Sequence, residues 1–185
     1  MSNNSSTEAG WLTPFDDNAL YNEGLNRMLS LWVGGVSGLP AKHVLPRWQR
    51  DPAPLPSPSP DTNWCAFGII DITSEPNPAL VKQSDESSEL WQYETLTCMA
   101  SFYGREGMVY AARFRDGIML SQNNAELNKS NLTLGSHSQI TAFPELINNQ
   151  WVNRFDITVH LRRKVVRRYH IKSVTDAHVT FLGDK

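Results

Sequence analysis

Three features of the sequence predict an α+β fold, a mostly antiparallel β-sheet with two helices packed on one face. Two segments repeat apolar residues at helical spacing, and several others alternate apolar and polar residues at period two. The elements follow in the order helix, strand, strand, helix, strand, strand, strand, which lacks the regular strand–helix alternation of a parallel sheet. With 185 residues, 40% of them apolar, the chain is long enough to bury one domain's core. Residues 1–12 read as a flexible N-terminus and residues 13–185 as one α+β domain.

The first helix is expected to begin near Thr13, which can cap it. Pro14 suits the first helical position, and Asp16 and Asp17 suit the positive helix end. Leu20, Tyr21, Leu25, Met28, Leu29 and Trp32 then make an apolar face that ends at the glycines of "GGVSGLP". Residues 51–62 form a Pro/Ser-rich surface segment with prolines at 52, 54, 56, 58 and 60, extended like polyproline. It reads as a spacer or as a ligand for a proline-binding domain. Trp64 to Ile72 is apolar on both faces, as in a central strand.

Residues 73–89 read as a polar loop. A long strand follows from Leu90 to Tyr103, with Leu96, Cys98, Ala100 and Phe102 on one side. The second helix is expected from Gly107 to Ser121, with Met108, Ala111, Ala112, Ile118 and Met119 as its core stripe. Asn124 is placed to cap a short helical turn before a strand over "NLTLGSHSQITAF". Trp151, Phe155, Ile157, Val159 and Leu161 then alternate with polar residues along the last core strand. A final extended run is expected over "YHIKSVTDAHVTFL".

The core strand runs into a basic stretch, because Arg162 to Arg168 hold five cations in seven residues. Residues 151–185 carry eight Lys/Arg against three Asp/Glu, while residues 1–150 carry nine against sixteen. An acidic body with a basic extension suits a polyanion or another copy's acidic surface, and equally a solvated surface hairpin. The expectation is an extended basic β-arm that leaves the sheet.

Catalytic signatures such as a Walker loop, GxGxxG, GxSxG or HExxH are absent, so the sequence does not read as an enzyme. His160 and His170 lie in the basic region, while His43, His137 and His178 are scattered, so no metal or other cofactor is expected. Cys65 and Cys98 read as small core residues rather than a disulfide or zinc pair. The polar N-terminus is not a signal peptide, and no apolar run is long enough for a membrane helix. A soluble protein made in a cytoplasm is expected. A two-stranded basic ribbon with Tyr169 could track phosphates and stack a base, yet no nucleic-acid fold motif accompanies it.

The stretches "NALYNEGLNRML", "WQRDPAPLP", "TLTCMASFYGREGMVYAARFRDGI" and "FPELINNQWVNRFDITVHLRR" occur in an order that resembles the tail or neck terminator proteins of tailed bacteriophages. The resemblance spans residues 17–163. Gln49, Arg50, Asp51 and Pro52 stand where that family has its "QNR.P.P" pattern, with Arg50 in place of the usual asparagine. Phe143, Asn149, Gln150, Trp151 and Arg154 stand where it has an aromatic-rich entry into the last long strand.

The resemblance implies a structural virion protein without an active site, made in the host cytoplasm. Its copies would form a ring, of six in that family, at the head-proximal end of the tail. Such a ring stops tube or sheath polymerisation and meets tail-tube, sheath and neck or head-completion proteins, with DNA passing through its channel. Arg162, Arg163, Lys164, Arg167 and Arg168 are the candidate interface residues. Charge reversal at Arg163 and Arg167 is expected to weaken ring formation while leaving the monomer folded. A different head–tail connector, or a small non-specific nucleic-acid-binding module, is the alternative.

Overall fold

The computed structural model describes residues 4–48, 62–147 and 149–172. The strands are β1 (Asp16–Asp17), β2 (Val44–Pro46), β3 (Trp64–Ser74), β4 (Ala79–Val81), β5 (Ser88–Tyr103), β6 (Leu132–His137), β7 (Thr141–Ile147) and β8 (Gln150–Tyr169). The α-helices are α1 (Asn22–Ser37), α2 (Gly107–Gly117) and α3 (Ala125–Lys129), with 3-10 turns at Ala41–His43 and Ser121–Asn124. Eight strands form one sheet in the order β1-β8-β5-β3-β2, with β4 on β5 and both β6 and β7 on β8. The described registers are antiparallel except for β2, which runs parallel to β3. The fold is α+β, as expected from the sequence.

Contacts divide the chain into two compact units. The larger holds Leu20–Ser74 and Glu94–Lys164, and contains the hydrophobic core. On α1, Leu25, Leu29, Trp32 and Val33 recur at helical spacing and are buried. Gly38, at φ 82°, ends that helix by donating its N–H to the Gly34 carbonyl, a left-handed cap that glycine adopts without steric cost. Leu96, Cys98, Ala100 and Phe102 of β5 and Ile157, Val159 and Leu161 of β8 join Phe67, Phe114 and Leu127 in this core. Burial pushes the Cys98 thiol up to about 12 and raises that of Cys65 as well, so both sulfurs stay protonated core groups.

The smaller unit holds Met1–Ala19, Glu75–Tyr93 and Val165–Lys185. Here β4 pairs with the start of β5, Leu80 opposite Leu90, and β1 pairs with the end of β8. The stretch 73–89 therefore includes the end of β3, all of β4 and the first residues of β5. In the N-terminal segment, the Ser6 N–H donates to the His170 carbonyl at 2.9 Å.

Four local expectations are corrected. The first helix begins at Asn22 instead of near Thr13, because Asp16 and Asp17 pair as a strand with Arg168 and Arg167. The second helix ends at Gly117, so Met119 falls in the turn beyond it and is exposed, as is Met108 in the first helical turn. The region 131–143 holds two strands rather than one, broken between His137 and Thr141. The expected basic arm is the second half of β8, which continues unbroken for 20 residues from Gln150 to Tyr169. Its period-two burial simply carries on, with Arg163 and Val165 taking the inward positions after Leu161. Of the final expected extended run, residues 173–182 lie outside the described residues.

Between β5 and α2 the chain turns at Gly104, with φ 101°. A Cβ there would lie 2.5 Å from the Thr62 carbonyl oxygen and 2.6 Å from Asn63 Oδ1. Gly104→Ala is therefore expected to destabilise the fold by about 1–3 kcal/mol, through left-handed strain and a backbone collision. The check is the urea midpoint, which should fall with its slope unchanged.

Candidate interaction surfaces

Arg163 is 5% exposed on the inward face of β8. Its Nε donates to Glu94 Oε2 at 2.8 Å and its Nη1 to the Leu20 carbonyl at 2.7 Å. The guanidinium also lies 4.6 Å from the centre of the Tyr21 ring. Such a planar, always-charged fork suits a buried pair better than lysine would. The charge reversal expected to spare the fold would here place two carboxylates together in the interior, so Arg163 is a structural residue. Arg162 and Lys164 point to the opposite face, Arg162 exposed and Lys164 half-buried.

Arg167 and Arg168 belong to the smaller unit. Arg167 Nε meets Asp17 Oδ2 at 3.0 Å, while Arg168 reaches Glu89 Oε1 at 3.1 Å and Asp16 Oδ2 at 3.4 Å. Arg163, Arg167 and Arg168 are thus paired with carboxylates of their own chain. Glu89 also accepts a hydrogen bond of 2.7 Å from Trp91 Nε1 and an ion pair of 3.2 Å from Lys82. The Trp91 bond, followed by those from Lys82 and Arg168, holds its carboxyl below the usual 4.5 despite desolvation.

Because the folded value is depressed, the stability this group contributes is whole above pH 4.5 and is lost as pH falls through the folded value. Glu89→Gln should lower stability at neutral pH and flatten its fall below that point. Urea melts across an acid series give the check.

The β7–β8 hairpin presents a different surface. Asn149, at φ 61°, lies in its turn, and the register places Leu146 opposite Trp151, Pro144 opposite Asn153, and Phe143 opposite Arg154. Alternation puts Leu146 and Trp151 on one face and Phe143 on the other. All three are bare, at 54%, 72% and 53% exposure. At the hairpin's base, Arg154 makes a two-pronged pair with Asp156, both contacts 2.8 Å, and reaches Glu145 at 3.2 Å. Tyr103 donates to Glu145 at 3.0 Å and accepts from Arg47 at 3.3 Å.

The bond to Asp156 pushes the Arg154 pKa further up, and burial raises that of Tyr103. This chain of polar contacts spans β5, β7 and β8 and holds the base of the hairpin in place. Of the motif residues, Trp151 and Gln150 are exposed on the hairpin and Arg154 anchors it, whereas Gln49, Arg50 and Pro52 lie outside the described residues. A second apolar surface is an open groove between the end of α1 and α2, lined by Val36, Met108, Val109, Ala112 and Leu120. Sequence reading assigned these side chains to a core stripe or passed over them, since periodicity finds an apolar face without showing what covers it.

The sequence matches the model of the phage neck terminator protein family over residues 23–185. The chain belongs to that family. No curated protein matches it. As a neck terminator it is a structural protein of the phage neck and a component of the virion. Among the described residues, no helix is long and apolar enough to cross a membrane. The family match begins just after β1, so the Asp16–Asp17 strand lies ahead of the matched region.

Proposed function

We propose that this neck terminator works as a ring of six copies at the head-proximal end of a phage tail, where it ends tube or sheath polymerisation and joins the tail to the neck. The observation that carries the reading is the β7–β8 hairpin, which leaves Leu146 and Trp151 bare on one face and Phe143 on the other in a protein of this family. An exposed hairpin of this kind suits contact with another subunit. A groove elsewhere on the same chain, lined by Val36, Met108, Val109 and Leu120, offers a different apolar face. Two unlike faces on each copy favour a head-to-tail contact, which closes into a ring when the rotation permits.

Within this reading the exposed Arg162, with Lys164 two residues on and on the same face, is the contact for DNA phosphates in the channel. Tail-tube, sheath and head-completion proteins meet the two rims of the ring. The deciding experiment measures mass by light scattering over a range of concentration and salt, with micrographs of the same fractions. Assemblies near six copies with a central channel are expected; monomers under every condition, and on purified tails, overturn the reading. Particles assembled without the protein should carry tails of uncontrolled length, whereas normal-length tails that fail to join heads would point to a different connector.

A further inference from the structure

The N-terminal segment lies along the last third of β8. Asp16 and Asp17 pair in antiparallel register with Arg168 and Arg167. Phe15 N–H donates to the Arg168 carbonyl at 2.9 Å, and the Val166 N–H donates to Asn18 Oδ1, also at 2.9 Å. Further along, the Lys172 N–H donates to Ser6 Oγ at 2.8 Å, and the Phe15 and His170 rings stack at 4.4 Å. The segment is thus a strap held by backbone pairing and by matched charge, two acids on two arginines, all within the smaller unit.

We propose that in the assembled neck the strap, Asn4–Ala19, leaves its own β8 and lies on β8 of the next copy, making the same contacts between subunits that it makes here within one. The idea rests on the ring reading. Three observations support it. Exchange of identical elements loses no contact, because every copy offers the same acidic strand and the same basic edge. In place on its own chain, the strap leaves apolar groups uncovered, with Trp11 91% and Phe15 44% exposed, and both residues of β1 are exposed. A neighbouring subunit could cover those side chains.

The connection to α1 is also short. The units divide between Ala19 and Leu20, the Leu20 carbonyl is held by Arg163, and Asn22 adopts a left-handed φ of 48°. A short connection with unfavourable backbone geometry promotes exchange over closure on the same chain. The strap's pairing begins at Asn18, two residues before Leu20, so exchange requires the β8 edges of neighbouring copies to lie side by side in the ring. The occupant of the β8 edge is therefore an acidic extended strand from a second copy, added by strand pairing.

The test is a disulfide trap in the full-length protein, Asp17→Cys with Arg167→Cys, two positions directly opposite in register. Opposed antiparallel residues lie within reach of a disulfide. Cys65 and Cys98 are buried and do not compete. The protein is oxidised in the assembled state, on purified tails if needed, and run on a denaturing gel without reductant, while the reduced protein is sized by light scattering. Exchange predicts a ladder of covalent multimers.

An oligomer whose bonds all close within single chains overturns the exchange and leaves the ring standing. Protein that is monomeric in solution and on tails, with internal bonds alone, overturns both. Phe15→Cys with His170→Cys repeats the trap at the stacked ring pair and keeps the answer clear if loss of the Asp17–Arg167 ion pair weakens the strap.

Discussion

Replacing Arg163 by alanine is expected to cost the fold about 3–5 kcal/mol, the usual cost of breaking a buried pair by removing one partner. The magnitude follows from what is left behind. Glu94 keeps 9% of its side chain exposed and would lose its guanidinium partner, and the Leu20 carbonyl would lose a 2.7 Å donor. Lysine should rescue only part of this, since one ammonium cannot reproduce the forked contacts to Glu94 and Leu20 or the stacking on Tyr21. Removing both charges, as in Arg163→Met with Glu94→Leu, should recover much of the loss, because the pair's desolvation cost disappears with it. Urea melts of the three variants and the wild type settle the matter. A loss below about 1 kcal/mol for Arg163→Ala, the range of an exposed pair, would show that the site is open to water.

Arg163 also marks where sequence reading stopped. The alternation of Ile157, Val159 and Leu161 was legible, and so was the buried face of the strand. That the same alternation carries Arg163 inward was less visible, because a cation at an inward position is acceptable only if an acid meets it. The acid lies 69 residues away in β5. Likewise, Thr13, Pro14, Asp16 and Asp17 form a good local helix start, yet Arg167 and Arg168, 150 and more residues away, draw the two aspartates into a strand. Tertiary pairing overrides a propensity of a few tenths of a kcal/mol per residue.

Leu25, Leu29, Trp32 and the β5 core positions were legible for the opposite reason, since their spacing alone declares a buried face. The family pattern, too, was legible in Gln150, Trp151 and Arg154. What that pattern omits is exposure: Trp151, whose alternation places it on the core strand, stands in solvent in the fold, as do Phe143 and Leu146.

In the proposed ring, Trp151→Ala should abolish assembly while leaving the monomer's stability almost unchanged. The side chain is 72% exposed, so its removal costs the fold only its cross-strand contact with Leu146, about 0.2–1 kcal/mol. At an interface the same ring is the kind of group that dominates binding, and truncating such an anchor costs about 2 kcal/mol or more. Two kcal/mol is roughly thirtyfold in one contact. In the proposed ring of six the loss recurs at every interface, about 12 kcal/mol in all if the contacts are independent, which moves assembly to much higher protein concentration.

Leu31→Ala, which removes an apolar side chain of 64% exposure on α1, serves as the control and should assemble as the wild type does. The measurement is sedimentation across a hundredfold range of concentration, paired with urea melts of both variants. Trp151→Ala protein that assembles at the wild-type concentration would remove the hairpin from the interface and shift the search to the groove at Val36, Met108 and Leu120.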